Sequence, residues 1–179
     1  MEKFQPNSSR FLLAIIDGGG TIPPALGMAA ELVRRGHFVR VLGDPTVERS
    51  ARAAGCEFSP WRAAPHFDSS AEQTALIAQV EARNPYGQFK AAKELIICGP
   101  AAKFAEDVVA TVHDHPVDAV LAEAAVPGIL IGAEATGLPT AAVRANIYLR
   151  PTPGLPRSAP AGHRPRESWA GPGHTSRSS

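Results

Sequence analysis

The stretch Arg10–Gly36, RFLLAIIDGGGTIPPALGMAAELVRRG, constrains the fold more than any other part of the chain. It opens on an apolar run, Phe11 to Ile16, closed by Asp17. A short run without polar alternation suits a strand buried on both faces, as parallel sheets require. Three glycines follow, then Pro23 and Pro24, where a helix begins and proline is tolerated. Leu26, Ala29, Ala30, Leu32 and Val33 form a stripe of helical period. Arg34, Arg35 and His37 put positive charge at the negative end of the helix dipole, and Gly36 is a natural stop. A strand buried on both faces cannot stand alone, so the rest of the chain must supply similar units beside it.

It does so in order. Phe38 to Leu42 reads as a second strand, Val47 to Ala54 as a short helix stopped by Gly55, and Cys56 to Ser59 as a third strand. The pattern then loosens. Ala71 to Arg83 is predicted as a helix broken at Asn84-Pro85-Tyr86-Gly87, and Gln88 to Ile97 as another. Pro100 to His113 is a helix with Phe104, Val108, Val109 and Val112 on one side. Asp118 to Ala122 is a fourth strand, Pro127 to Thr136 a helix stopped by Gly137, and Thr140 to Val143 a fifth strand. Alternating strand and helix periods predict an α/β fold with an open, doubly wound, mostly parallel sheet and right-handed crossovers.

Composition narrows the class. Apolar residues are 44% of the 179 and charged residues 20%, a soluble globular profile with enough chain for one core. A formal net charge of +1 gives no basic footprint, so nucleic acid is not an expected partner. No apolar run approaches the roughly 20 residues of a membrane span, and MEKFQPNSS lacks a signal-peptide core. Cys56 and Cys98 are expected to be buried thiols rather than a lone disulfide, which with the missing leader predicts a cytoplasmic protein. Residues 157–179 are rich in Ser, Gly, Pro, Arg and His and carry no stripe of either period. The expected organisation is a folded domain over 10–156 and a disordered or aberrant tail over 157–179, natural or the product of a truncated or frame-shifted end.

Chemistry is expected at the glycine turn. Gly18, Gly19 and Gly20 let backbone approach a ligand, and a helix start offers free N–H groups to an anion or a ligand oxygen. A dinucleotide fingerprint needs a third glycine at position 23, where this chain has Pro23. Asp44, at the end of the second strand, stands where such domains hold a ribose, but a turn residue in Gly-Asp-Pro is the simpler reading. There is no GxxxxGK[ST] loop, and no CxxC or HxxxH spacing points to a metal.

The stretch DGGGTIPPALGMAAELVRRGHFVRVLGDPTVERSARAAGCEFSPW, with RRGHFVRVLG inside it and GLPTAAVRANIYLRPTPGLP later, resembles the opening of GT-B-fold, nucleotide-sugar-dependent glycosyltransferases of the natural-product type. The resemblance covers about residues 10–156. It implies one Rossmann-like half of a two-domain enzyme, the half that chiefly holds the acceptor. It further implies transfer of a hexose or deoxyhexose to a hydrophobic small-molecule acceptor, with inversion and without a metal or a resident cofactor. The nucleotide sugar is a co-substrate whose site lies in the second domain, so this chain alone is expected to be inactive.

In that family a His of the first loop takes the acceptor's proton. The matching position here is Thr21, which cannot act as a base near neutral pH. Thr21 is expected to bind an acceptor hydroxyl or to cap the helix, and Asp17 is the candidate substitute base. Gly19, Gly20, Glu123 and Asn146 are expected to line the acceptor site. Glu123 follows the fourth strand and Asn146 the fifth, both at the carboxyl edge where open α/β sheets form their crevice. For Glu123 the alternatives are an orienting carboxylate or a solvated loop acid, and for Asn146 a turn cap. Trp61, Phe67, Tyr86 and Phe89 either line an apolar pocket or pack as core. His66 could reach the cleft but reads as surface, whereas His37, His113 and His115 read as structural. Two other functions remain open: a nicotinamide- or flavin-dependent Rossmann oxidoreductase, and a non-catalytic binding subunit.

Overall fold

The computed structural model describes residues 8–18, 20–69, 71–72, 75 and 93–145. All belong to the unit Met1–Ile147, and the second unit, Tyr148–Ser179, lies outside the described residues. Strand β1 (Arg10–Ala14) leads through the glycine turn into helix α1 (Ile22–Arg34) and then β2 (Phe38–Gly43). A 3-10 turn (Pro45–Val47) and α2 (Glu48–Ala53) precede β3 (Glu57–Pro60). A π-helical segment (Lys93–Cys98) leads to α3 (Ala101–Asp114), β4 (Ala119–Glu123), α4 (Pro127–Ala135) and β5 (Thr140–Val143).

The five strands lie in the order β3-β2-β1-β4-β5 and every pair is parallel. The α/β, parallel architecture expected from the sequence is the one observed. Burial explains why the strands read as continuous apolar runs. Leu12 and Ala14 point into one cluster with Phe104, Val108 and Ile129 of α3 and α4. Leu13 and Ile15 point the other way, among Ala25, Leu26 and Ala29 of α1 and Ala51 of α2. A strand with both faces covered has no position where water rewards a polar side chain.

The helix stops behave as expected. Gly36, Gly55 and Gly137 all take positive φ, at 88°, 80° and 70°. The Gly36 N–H returns to the Val33 carbonyl at 2.9 Å and the His37 N–H to Leu32 at 3.1 Å, a closure that side chains with a Cβ resist.

Several expectations change. β1 ends its ladder at Ala14 rather than Ile16, because the next residues turn to meet side chains of other strands. Val109 is exposed rather than part of the α3 stripe; Asp107 takes a place on that stripe instead. Cys98 is exposed and only Cys56 is buried, where burial pushes its thiol pKa up. Trp61 is core, 2% exposed, with its ring edge-on to Phe104 at 5.0 Å. Of the helix expected over 71–83, only 71, 72 and 75 are described, and they are helical. Tyr86, Phe89, the 84–87 break and the tail lie outside the described residues. No helix among the described residues is long and apolar enough to cross a membrane.

Candidate functional site

From β1 the chain steps outward to β2 and β3, then returns across β1 to β4 and β5. The reversal leaves a crevice at the carboxyl ends of β1 and β4, and ligands of open α/β sheets bind at such switch points. The loop after β1 occupies it.

That loop is held by carboxylates from both sides. The Ile16 N–H donates to Glu123 Oε2 at 2.8 Å, from the end of β4. The Asp17 N–H donates to Asp44 Oδ2 at 2.6 Å, from the end of β2. Asp44 Oδ1 accepts a second bond from the Phe67 N–H at 3.2 Å, tying in the segment after β3. The Asp17 carboxylate itself accepts the Thr46 hydroxyl at 2.7 Å. Asp17, Asp44 and Glu123 are thereby gathered at one sheet edge by three different strands.

Their exposure separates them. Asp44 and Glu123 are 3% and 5% exposed, whereas Asp17 is half-buried. Burial raises the Asp44 pKa, against the Asp17 and Phe67 N–H groups, which lower it; the Asp17 charge adds to the rise and His66 opposes it. Burial likewise raises that of Glu123, against the Ile16 N–H, with the Asp44 charge adding to the rise. Glu123 is therefore a buried strut of the loop, not a solvated loop acid. Asp44 has each oxygen bonded to a backbone N–H group, which gives it a structural part in the turn. The dinucleotide fingerprint still fails at Pro23.

Thr21 occupies the cap position before α1 with helical φ and ψ of −82° and −24°, and its side chain makes no capping bond. The expected cap thus does not form. The residue is 8% exposed, and Oγ1 has no hydrogen-bond partner among the described residues. It packs over Gly18, where an added Cβ would lie 2.9 Å from it. Pro23 and Pro24 also strip two N–H groups from the first turn, so this helix start is a poorer anion site than most. Gly20 differs: it is exposed, and a Cβ there would meet nothing within 4 Å. Open space above the turn lies at Gly20. Gly19 and Asn146 fall outside the described residues.

The remaining candidates separate by place. His66 is exposed, its Nδ1 3.1 Å from the Ala64 carbonyl oxygen, on the Asp44 side of the crevice. His37 accepts the Ser9 N–H on Nδ1 at 3.2 Å and meets Phe11 edge-on, at the opposite end of the sheet. A cavity of about 530 Å³ also lies at that amino-terminal end, between Arg10, His37, Arg40, Glu57 and His115. It lies across the sheet from the three carboxylates and belongs to a different surface. Among the described residues no group of three or more His, Cys, Asp or Glu side chains is placed to hold a metal ion.

One structural residue escaped sequence reasoning. Asp107 of α3, 5% exposed, accepts the N–H groups of Arg62, Ala63 and Ala64 at 2.8, 3.0 and 2.9 Å and so fixes the segment after β3. The signal was present: an acid between Phe104 and Val108 sits on an apolar stripe, where it is stable only with donors to meet.

The parallel sheet, its order and the loop at the β1/β4 switch define a Rossmann-like, doubly wound domain. No family model matches the sequence. The chain is 27% identical over 141 residues to 4'-demethylrebeccamycin synthase of Lentzea aerocolonigenes, an alignment covering 79% of this chain and 33% of that protein. It thus spans about one third of the length of its curated relative. Among solved structures, a kitacinnamycin glycosyltransferase superposes with a TM-score of 0.56 at 18% identity, over 80% of this chain and 32% of the other. The calicheamicin glycosyltransferase CalG4 gives 0.54 at 20% identity, over 75% and 32%. The glycosyltransferase VinC, solved with dTDP, gives 0.52 at 19%, over 73% and 33%.

Proposed function

We propose that this chain is the acceptor-side half of a nucleotide-sugar-dependent glycosyltransferase that acts on a hydrophobic natural product. One observation carries the reading: sequence likeness to 4'-demethylrebeccamycin synthase runs through 79% of the chain, and a similar share, 80%, superposes on the kitacinnamycin glycosyltransferase. The sugar is a hexose or deoxyhexose, transferred with inversion and without a metal. An acceptor hydroxyl attacks the anomeric carbon, the bond to the nucleoside diphosphate breaks, and the proton passes to a base of this half. Asp17 is that base. It is half-buried, three residues before the exposed Gly20, and Thr21 at the family's histidine position has no proton-accepting nitrogen. Asp44 and Glu123 hold the Asp17 loop in place by its backbone. Gly19, Gly20 and Asn146 belong to the acceptor site, with Glu123 beneath it. The nucleotide sugar is bound by a second half that faces this one in the assembled enzyme, and the chain works inside the cell.

The test mixes the purified chain with a separately produced donor-binding half, a nucleotide-sugar panel and apolar aglycones. The expected outcome is turnover only in the mixture, falling by about 10² to 10⁴ in Asp17→Asn. Turnover by the chain alone would refute the dependence on a second half. Full activity of Asp17→Asn in the mixture would remove Asp17 as the base.

A further inference from the structure

The motif Gly43-Asp44-Pro45-Thr46-Val47, between β2 and α2, reaches Asp17 twice. Its place follows from the sheet. β2 lies beside β1 with Leu42 opposite Ala14, and the Ile15 N–H still reaches the Leu42 carbonyl at 3.0 Å. Gly43 then runs so close to β1 that a Cβ there would lie 3.2 Å from the Ile15 carbonyl oxygen. The residues leaving β2 therefore stand directly against those leaving β1.

Each following residue has a part in the turn. Asp44 is extended, with φ and ψ of −66° and 146°, and its carbonyl accepts the Val47 N–H at 2.9 Å, which closes one 3-10 turn. Pro45, with its fixed φ, suits the first position of that turn. Val47 is 2% exposed and belongs to the core cluster of Leu13, Ile15 and Ala25, so the turn is pinned to the core. Thr46, half-buried, donates its hydroxyl to Asp17 Oδ2 at 2.7 Å, while Asp44 Oδ2 accepts the Asp17 N–H at 2.6 Å. One turn thus grips Asp17 by its main chain and by its side chain.

We propose that Thr46 is a positioning residue of the acceptor site, whose hydroxyl sets the orientation of the Asp17 carboxylate for proton transfer. The proposal rests on the assignment of Asp17 as the base. With its backbone held by Asp44, Asp17 keeps two side-chain torsions. The second joins an sp³ to an sp² carbon and is broad rather than staggered, so nothing intrinsic to the side chain fixes which way its oxygens face. A donor at hydrogen-bond distance from Oδ2 supplies that restraint. The donor is itself stiff, since threonine is branched at Cβ and has few rotamers, and its backbone is fixed in the 3-10 turn. A hydroxyl also suits the task better than a cation. An ammonium or guanidinium would orient the group as well, but its charge would resist protonation of the base.

Steady-state kinetics of the chain mixed with the donor-binding half test this, using the nucleotide sugar and phenolic aglycone that the wild-type mixture turns over. Thr46→Val keeps the shape and removes the hydroxyl. It is expected to lower kcat about 10- to 100-fold and to leave KM for the aglycone within about twofold, because orientation of the base acts in the transition state and not in binding. Thr46→Ser keeps the oxygen and should bring kcat to within about threefold of the wild type. In an Asp17→Asn background, Thr46→Val should cost nothing further, since the group it orients is gone. A merely structural loss would slow both backgrounds alike. Full kcat in Thr46→Val, a serine variant as slow as the valine one, or equal losses in the two backgrounds would overturn the proposal and leave Asp17 in its role. Full activity of Asp17→Asn, or no turnover by the wild-type mixture, would refute the assignment beneath it and the proposal together.

Discussion

Asp107 shows what a single buried acid can hold. Its carboxylate closes three N–H groups of the 62–64 segment. Asp107→Ala should cost about 3 kcal/mol in urea unfolding, and Asp107→Asn clearly less, since the amide oxygen still accepts. Glu123 makes a prediction with a sign. Its pKa in the folded chain is raised from 4.5, so the native state holds that proton more tightly than the unfolded one. The stability tied to it is full below pH 4.5 and is lost as pH rises through the folded value. Glu123→Gln keeps an oxygen for the Ile16 N–H and cannot ionise. It should therefore gain on the wild type as pH rises from 4 to 7, and a constant difference would contradict the assignment. At this scale the sequence was only partly legible. Asp17 and Glu123 were readable as residues at strand ends. That Glu123 and Asp44 would support the loop through its backbone was not, because neighbours across a sheet are not neighbours in sequence.

Helices α3 and α4 touch through glycine. A Cβ at Gly132 would lie 2.8 Å from the Ala105 Cα, and one at Gly128 would run into the Ala101 carbonyl. Gly132→Ala should cost about 1–3 kcal/mol by thermal or urea melting, because backbone rather than a movable side chain blocks the space. Gly20→Ala, over open space and without positive φ, should be neutral or slightly stabilising. Equal losses at both would refute the packing account. Most elements were legible: the strands from their unbroken apolar runs and the helix ends from Gly36, Gly55 and Gly137. Missed details share one cause, which is tertiary contact overriding local preference. Thr21 has a capping residue's identity but spends its hydroxyl over Gly18, and α3 places an acid where periodicity suggested valine.

For the molecule as a whole, the parallel class and the carboxyl-edge location of chemistry followed from the alternation of strand and helix. The order of strands did not, since the return to β4 beside β1 depends on packing that no local pattern encodes. That return creates the switch point at which Asp17, Asp44 and Glu123 meet, and it aligns the chain with one third of each larger glycosyltransferase. The most direct test of the acceptor-side assignment is calorimetric titration of the chain with a planar, apolar phenolic aglycone and, separately, with dTDP. The account predicts saturable aglycone binding that Gly20→Trp abolishes by filling the open space, and no heat from dTDP. Binding of dTDP with the aglycone silent would contradict it.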